Sequence, residues 1–394
     1  MFVTTFASNA PSPLYVIYQQ RFGFSATTVT LVFACYAVAV LITLLVVGHV
    51  SDRVGRKRLM APSLVVLALS SGVFAMAQGV AWLFVARALQ GVATGGLTAA
   101  ATASLVELVG AGDKRRASYI NTVAFVAGAT GGPLTSGLLA QYAPYPLRTP
   151  FAVELAMIII CLLLMTGVPE TVVSVQSLRW RLQVPGLPRE VRRAFVASAL
   201  AVSVSWGAGA LYGALSPTID ARLLGIQSHA AAGAELAALF GVGGVSQVLT
   251  RQWPTIKATS VGVVALAMGM VLVVWAVSER LLGLFIPATL LVGAGSGMAF
   301  MGSMALVNAT APPDKRAQVL AAYNIVGYLA LSLPIVGVGL VIGVLGLQGA
   351  TQVFGIAVVA CCALSLQSLA KLRGSSPGSL PRLEIDVDTE INSH

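Results

Sequence analysis

Long runs of uncharged residues dominate this sequence and restrict the folds that it can adopt. A helix needs about 20 apolar residues to cross the hydrocarbon core of a bilayer, and the 394-residue chain contains twelve such runs. Charged residues make up only 10% of the chain, against about 25% in a soluble domain. The sequence therefore predicts an all-α integral membrane protein with twelve transmembrane helices. The runs cover residues 1–19, 28–50, 59–78, 81–107, 117–142, 150–168, 194–216, 230–250, 258–278, 281–308, 317–345 and 349–370.

The distribution of lysine and arginine predicts how these spans are oriented. Nineteen of the 24 basic residues fall in the loops and tail on one side, four fall in loops on the other side, and Arg87 alone lies within a span. Cytoplasmic loops carry the excess of positive charge. We therefore expect a multi-pass protein of the cell (inner or plasma) membrane with both termini cytoplasmic. The scattered basic residues form no patch for nucleic acid, which leaves the lipid bilayer as their partner.

An internal repeat becomes visible when the sequence is shifted by 201 residues against itself. LFVARALQGVATGG at 83–96 then falls on LFIPATLLVGAGSG at 284–297, and the tripeptide DKR in the following loop falls on a second DKR. Pro133 falls on Pro334 in the same register. The repeat predicts two pseudo-symmetric six-helix halves arranged in parallel. Transporters with this architecture bind their substrate between the halves near mid-membrane.

These observations divide the chain into four predicted parts. The first half covers residues 1–168 and the second half covers 194–370. A cytoplasmic linker, 169–193, joins them and is expected to lie at the lipid headgroups through Trp180. The polar tail, 371–394, is predicted to be disordered.

Three motifs resemble those of the major facilitator superfamily. The loop after the second span reads GHVSDRVGRKR, residues 48–58, and is similar to the family's Gly, Asp-Arg, Gly-Arg-Arg/Lys pattern. RALQGVATGG in the fourth span matches its Arg-x-x-Gln-Gly pattern. GATGGPLTSG in the fifth span resembles the Gly-Pro motif of the drug/proton antiporter branch, with departures at Ser136 and Tyr119, where that motif has glycine. The resemblance covers residues 1–370 and implies a membrane transporter.

The resemblance implies that the basic loop acts as a conformational latch. Asp52 would face the positively polarised start of the eleventh span, and Arg56 would reach Glu107 at the inner end of the fourth. Closing these contacts on the cytoplasmic side would favour the state that is open to the outside. A loop that only sets the membrane topology would carry the same positive charge. The predicted latch residues are Gly48, Asp52, Arg53, Gly55, Arg56 and Glu107.

Charged side chains within spans are rare and usually functional, and three are candidates for proton coupling. Arg87 lies in the fourth span, Glu154 near the outer end of the sixth, and Glu235 about two turns into the eighth. By family analogy the eighth span lines the cavity while the sixth lies towards the lipid, so Glu235 is the preferred proton carrier. The alternatives are that Arg87 snorkels to the outer surface and that the carboxylates are interfacial.

A substrate cavity is expected from the spans that line it in the family. Aromatic and methionine side chains there would suit a lipophilic ligand, although such residues also serve as packing. The candidates are Asn9, Tyr15, Gln90, Thr94, Trp206, Tyr212, Met298, Met301, Tyr323 and Asn324. In the fifth span, Gly128, Gly132, Pro133 and Gly137 are predicted to bend the helix and to pack it closely against a neighbour.

Two functions follow from these features, with a third class kept open. Proton-driven efflux of lipophilic small molecules is favoured, and uptake of a small metabolite such as a sugar or organic acid is the alternative. A sensor or structural membrane protein would need no coupling residues. The dispersed cysteines and histidines predict no metal site, and no catalytic constellation emerges, so an enzyme is not expected. We expect a monomer that uses a proton gradient as its energy source and requires no cofactor.

Overall fold

The computed structural model describes residues 1–47, 55–109, 114–168, 170 and 187–374. Within these ranges every regular element is helical, and ten helices are long and apolar enough to cross a membrane. Short 3₁₀ turns lie at Ser12–Leu14 and Arg189–Val191. The α-helices are α1 (Phe2–Asn9), α2 (Tyr15–Phe22), α3 (Ala26–Val47), α4 (Arg56–Ala75), α5 (Val80–Val109), α6 (Lys114–Tyr142), α7 (Thr149–Thr166), α8 (Arg192–Arg222), α9 (His229–Thr250), α10 (Thr255–Ser278), α11 (Leu282–Thr310) and α12 (Arg316–Gly374).

The first and last elements make this arrangement compatible with twelve crossings. The first predicted span consists of α1 and α2 with a 3₁₀ turn between them. Pro11 and Pro13 lie at this break, because proline cannot donate a backbone hydrogen bond to the preceding turn. The last element, α12, contains two helices that meet at Gly346, where φ is 69° and ψ is 179°. Glycine adopts this left-handed φ without a steric penalty.

Two predicted boundaries are wrong in an informative way. The seventh span was expected to end at residue 216, but α8 continues through Pro217 to Arg222. The tail was expected to begin at residue 371, but α12 remains helical to Gly374. A Ser-Pro pair followed by charged residues is typical of a loop, and here the packing of α8 overrides that local preference. The linker within 171–186 and the tail beyond 374 lie outside the described residues.

The surface of the helix bundle is apolar, as a lipid-facing surface must be. Val344 is 83% exposed, Leu249 is 73% exposed and Leu164 is 71% exposed. A soluble monomer rarely exposes large apolar patches, whereas lipid solvates them well. Together with the ten apolar helices, this surface identifies a multi-pass membrane protein.

The two ends of the helix bundle are called the basic side and the far side. The basic side holds the start of α4 and the ends of α5 and α7, which the Arg56–Glu107 and Lys57 contacts connect. The far side holds the turns at Gly23, Gly225 and Gly346.

The segment 1–168, the first half, packs against 187–374, the second half, along α6 with α9 and along α3 with α12. Three hydrogen bonds join the halves at the far side and close it. They are Thr218 Oγ1 to Gln19 Oε1 (3.1 Å), Thr27 Oγ1 to the Gly339 carbonyl (2.8 Å) and the His229 amide to Gln141 Oε1 (2.9 Å).

Candidate functional site

Arg87 is the centre of a buried polar cluster in the first half. Its side chain is 0% exposed. Nε donates to the Tyr15 hydroxyl at 2.7 Å, and Nη1 donates to the Ser8 carbonyl at 2.9 Å and to Gln90 Oε1. The other end of Gln90 donates to the Ala7 carbonyl at 2.8 Å. The alternative that Arg87 snorkels to the surface is therefore wrong.

The proline break between α1 and α2 explains why carbonyls are free for this cluster. In a regular helix the Ala7 carbonyl would accept from the amide four residues later. That residue is Pro11, which has no amide hydrogen. Gln90 supplies the missing donor to the Ala7 carbonyl. The proline that interrupts the first span thus also leaves the Ala7 carbonyl free to accept a hydrogen bond from Gln90 of the fourth span.

Aromatic rings enclose the Arg87 guanidinium. Its central carbon lies between 5.4 and 5.9 Å from the ring centroids of Tyr15, Phe33, Tyr36 and Phe74. Cation–π contacts at such distances stabilise a desolvated cation. Among the described residues, Arg87 Nη2 has no hydrogen-bond partner. The cluster therefore holds a fixed positive charge in the interior of the first half.

Glu154 lies deeper than the sequence suggested. It is 0% exposed, because the face of α7 that contains Phe151, Glu154 and Ile158 is turned inwards. One carboxyl oxygen accepts a hydrogen bond from Ser71 of α4 at 2.6 Å, and the other has no partner among the described residues. The expectation that this part of the sixth span faces lipid is wrong for Glu154, which packs between helices.

The second half contains two acidic residues within its helices, the buried Asp220 on α8 and the half-buried Glu235 on α9. The two carboxyl groups are close enough to interact electrostatically. Glu235 Oε1 accepts a hydrogen bond from Ser216 at 2.7 Å, and Ser216 lies one helical turn before Asp220 on the same face of α8. Asp220 is 1% exposed, and neither of its oxygens has a hydrogen-bond partner among the described residues. No ion pair to either carboxyl is present in the described part of the chain.

Asp220 is the residue that sequence reasoning missed. It was left outside the predicted spans because the seventh span was predicted to end at residue 216. The available signal was its spacing: Ser216 and Asp220 are four residues apart, so a helix continued through Pro217 places both on one face. Tyr212, one turn earlier, is hydrogen-bonded to Thr289 of α11 at 2.9 Å and completes the polar cluster.

An aromatic cluster lies near the middle of the membrane between the halves. Trp206 of α8 contacts Tyr328 edge-on at a centroid distance of 5.0 Å and lies 5.9 Å from Phe300. These side chains are half-buried. Tyr36 of the first half is close enough to Tyr328 to interact with it electrostatically. The middle of the bundle therefore offers a mainly aromatic surface.

The other predicted cavity residues are distributed over several environments. Thr94 is within 3.3 Å of the Ser8 hydroxyl, next to the Arg87 cluster, and Asn9 donates to the Thr5 carbonyl at 2.8 Å. Tyr323 is buried and shares a 2.8 Å hydrogen bond with Ser303. Three further candidates have no side-chain hydrogen bond in the described part: Met298, which is buried, and Met301 and Asn324, which are half-buried.

The predicted contact between Arg56 and Glu107 is present on the basic side. Arg56 Nη2 lies 2.9 Å from Glu107 Oε1 and joins the start of α4 to the end of α5. Gly48, Asp52 and Arg53 lie outside the described residues, so the predicted contact of Asp52 with the eleventh span stays a prediction, as does the role of this region as a latch.

Glu170 is a further member of this region that the sequence did not reveal. Its oxygens accept from the backbone amides of Arg56 (2.8 Å) and Lys57 (3.1 Å), so it caps the start of α4 from a distant part of the chain. The Lys57 ammonium donates to the carbonyls of Thr166 (2.8 Å) and Val168 (3.0 Å) at the end of α7. A Cβ atom at Gly55, where φ is 116°, would lie 2.6 Å from the Glu170 carboxylate.

The glycines of the fifth span serve close packing on two sides. Gly128 and Gly132 lie against the backbone of α1, and Gly137 lies against α9, where an added Cβ would come 2.9 Å from the Gly233 Cα. Helix α6 continues unbroken through Pro133. The close approach of α6 and α9 is one of the two seams between the halves, and only small residues permit it.

The family is established by comparison with known sequences. The model of the Major Facilitator Superfamily matches residues 1–335. The chain therefore belongs to the Major Facilitator Superfamily, which places it among membrane transporters and not among enzymes.

Individual relatives are distant. An uncharacterized MFS-type transporter of Mycobacterium tuberculosis is 32% identical over 101 residues, 26% of this chain and 15% of that protein. The bacillibactin exporter of Bacillus subtilis is 24% identical over 147 residues, 36% of this chain and 37% of the exporter. The aligned region thus spans well under two thirds of either relative.

Solved structures share the fold. A peptide transporter POT in complex with alafosfalin matches with a TM-score of 0.77 at 14% identity, covering 95% of this chain and 93% of that one. A bacterial homologue of the human lysosomal transporter Spinster, inward-facing and unoccupied, matches with a TM-score of 0.69 at 16% identity, covering 94% and 95%. At these identities the likeness concerns the fold alone.

Proposed function

We propose that this protein is a secondary transporter that exports lipophilic small molecules by alternating access, driven by inward movement of protons. The observation that carries the coupling is the Asp220–Glu235 pair. Two carboxyl groups that lie close together within a helix bundle repel each other when both are charged. Such a pair therefore binds a proton readily, and Glu235 is the proposed proton carrier.

The aromatic cluster supports a lipophilic substrate. Trp206, Tyr328 and Phe300 present large, partly exposed apolar surfaces near mid-membrane. A sugar or an organic acid would need a set of hydrogen-bond partners, whereas Trp206, Tyr328 and Phe300 offer mainly apolar ring surfaces. The distant relative that exports bacillibactin is consistent with the proposed direction.

The closed far side supports alternating access. The positive-inside rule predicts that the basic side is cytoplasmic, and with that orientation the hydrogen bonds across the far side support a proposed state closed to the outside. Opening of the far side with closure of the basic side would give the opposite state. The predicted contact of Asp52 with the eleventh span would join the two halves on that side, whereas the Arg56–Glu107 contact lies within the first half, between α4 and α5.

The proposal can be tested with inside-out vesicles that have an acidic lumen and a dye quenched at low pH. Lipophilic cations, neutral antibiotics, sugars and organic acids would be added one at a time. Protein-dependent recovery of fluorescence with a lipophilic compound is expected, because protons leave the lumen as the compound enters. Recovery should be absent in Glu235→Gln and normal in Glu279→Gln, a matched change of an exposed acid at the far end of α10. Protein-dependent uptake of a labelled sugar or acid into whole cells, with no recovery for any compound, would overturn the proposal.

A further inference from the structure

A cavity of about 250 Å³ on the far side is lined by residues of both halves. Thr218, Ala221 and Arg222 of α8 form one wall, because residues three or four positions apart share a face of a helix. Gln19 and Gln20 of α2 form a second wall. The hydrogen bond between Thr218 and Gln19 therefore joins two walls of this cavity.

Gln19 brings an unpaired hydrogen-bond donor to the cavity wall. The residue is only 5% exposed. The Thr218 hydroxyl donates to Gln19 Oε1 at 3.1 Å, and this bond fixes which end of the amide faces α8. The other end, Nε2, is buried and has no hydrogen-bond partner in the described part of the chain. A buried donor without an acceptor is costly, so this nitrogen favours a ligand that brings an acceptor atom.

The charges around the cavity favour an anionic ligand. Arg222 is exposed and forms no ion pair with any described residue. Within the described ranges, no acidic residue lines the cavity. Asp220 precedes Ala221 in the sequence, but it shares a face of α8 with Ser216 and is not part of the wall. The Arg222 guanidinium is therefore available to an anion.

A narrow cleft of about 10 Å³ continues the cavity towards the start of α9. Val16, Ala221 and Gln227 line both spaces. Ser228 lies in the cleft and caps α9 by accepting a hydrogen bond from the Ala231 amide at 3.2 Å. The start of a helix carries a partial positive charge, which adds to the charge of the arginine.

The size and the apolar part of the wall limit the ligand to a small molecule. The cavity volume of about 250 Å³ is below the roughly 300–1,000 Å³ of sites for drug-sized ligands. Val16 and Ala221 contribute apolar side chains to the wall. A ligand that fits this wall combines an anionic group with a short apolar body.

We propose that the far-side cavity is a binding site for the carboxylate group of a small organic anion. The carboxylate accepts hydrogen bonds from Gln19 Nε2 and from Arg222, whose planar guanidinium group suits a carboxylate. The short apolar body lies against Val16 and Ala221. A free acid in the medium on the far side and the acidic group of an exported compound share this chemistry. The binding site itself does not depend on the proposed proton coupling.

Ligand-observed NMR with the protein in nanodiscs of uncharged lipid tests the site. Sodium butanoate is the probe, and butanamide is a neutral analogue of similar size. We expect butanoate to bind and butanamide not to bind. Arg222→Gln should weaken butanoate binding about tenfold or more, because a charge-assisted hydrogen bond is lost. Arg148→Gln, which removes an exposed arginine outside the cavity, should leave the binding unchanged.

A cysteine in the cavity wall locates the bound probe. Gln20→Cys would be introduced into a protein without its four native cysteines and treated with a water-soluble maleimide. Butanoate should slow the modification, whereas butanamide should not. Tyr145→Cys, an exposed position outside the cavity, should react at the same rate with and without butanoate.

Two results would overturn the proposed site. One is unchanged butanoate binding in Arg222→Gln, and the other is equal binding of butanoate and butanamide to the parent protein. If Arg222→Gln does not fold, Gln19→Glu tests the other donor. This change keeps an acceptor for the Thr218 hydroxyl but replaces the amide nitrogen with a negatively charged oxygen, so it must abolish butanoate binding.

Transport measurements distinguish the two sources of the carboxylate. Protein-dependent accumulation of labelled phenylbutanoate and of its amide would be compared in inside-out vesicles. Slower accumulation of the acid alone in Arg222→Gln would assign the site to exported compounds, whereas parent-like rates for both would assign it to free acids from the medium on the far side. Absence of proton-coupled transport for every compound in the parent protein would remove the proposed function and leave the binding site intact.

Discussion

The two halves of this protein bury opposite kinds of charge in related places. In the first half, the Arg87 cation is held by Tyr15, the Ser8 carbonyl and Gln90. In the second half, Glu235 accepts a hydrogen bond from the Ser216 hydroxyl, and Asp220 lies one turn after Ser216 on the same face of α8. The 201-residue repeat aligns Tyr15 with Ser216 and aligns the uncharged Gln19 with Asp220. The repeated fold thus carries the permanent charge of Arg87 in its first half and, in its second half, carboxyl groups that can gain or lose a proton.

This difference follows from the chemistry of the side chains. A guanidinium group does not lose its proton in a protein, so the Arg87 cluster keeps the same charge throughout a transport cycle. A carboxyl pair can gain or lose a proton and change its net charge. The first half is therefore expected to serve as a structural support for the site, and the second half to respond to the proton gradient.

Removal of the Arg87 charge should have the largest effect of the changes that test this difference between the halves. Arg87→Met should lower the free energy of unfolding by about 3 kcal/mol or more, because several buried acceptors lose their donors at once. Transport should be lost as well. Thermal unfolding in detergent measures the stability. Arg87→Lys keeps the charge but not the fork geometry of the guanidinium group, so its melting temperature should lie between those of the parent protein and Arg87→Met. An unchanged melting temperature in Arg87→Met would contradict the structural role.

The seam between the halves should be the next most sensitive region. Gly137→Ala should destabilise the protein by about 1–3 kcal/mol, because the added methyl group overlaps the backbone of α9 at Gly233. Gly209→Ala on α8 is a matched control, since nothing lies within 4 Å of its added Cβ. The control is expected to be neutral or slightly stabilising because alanine favours helices. Equal effects of the two changes would show that the close approach of α6 and α9 does not matter.

A pair of serine variants compares the two halves directly. Ser71 bonds to Glu154 in the first half, and Ser216 bonds to Glu235 in the second. Each change to alanine should cost about 1–2 kcal/mol of stability, because a buried carboxyl loses a hydrogen bond. Only Ser216→Ala should also shift the pH dependence of transport. A pH shift in Ser71→Ala instead would move the proton site to the first half.

The smallest predicted effect concerns the cap on α4. Glu170→Gln should lower stability by about 0.5–1 kcal/mol, because a carboxylate at a helix start interacts favourably with the helix dipole. Added salt should reduce the difference. Melting temperatures at low and high salt would show this, with the exposed Glu190→Gln as the control. A salt-independent effect would indicate that the charge of Glu170 is unimportant.

Much of the fold could be predicted because the bilayer imposes a simple rule on the sequence. Apolar length alone located the spans, and the loop motif identified the family. Arg87 was recognisable because a charge inside an apolar run has few explanations. The contact between Arg56 and Glu107 could be anticipated from the family resemblance.

The parts that could not be predicted depend on tertiary packing. Asp220 was left outside the predicted spans because the seventh span was predicted to end at residue 216, whereas contacts with neighbouring helices extend α8 past it. Glu154 was expected towards lipid by family analogy, which places the whole sixth span and does not give the rotation of α7 about its axis. Glu170 was overlooked because its partners are backbone amides, which every residue except proline has, so no residue type in the sequence indicates the contact.

The central claim is that the proton is carried by the second half of the protein. Proton movement and substrate movement would be measured together in vesicles for Glu235→Gln and Glu154→Gln, which each replace one carboxyl group within the helices, one in each half. The account predicts that Glu235→Gln still binds substrate but no longer moves protons, while Glu154→Gln retains the coupling. Normal coupling in Glu235→Gln together with its loss in Glu154→Gln would contradict the account and assign the proton to the first half.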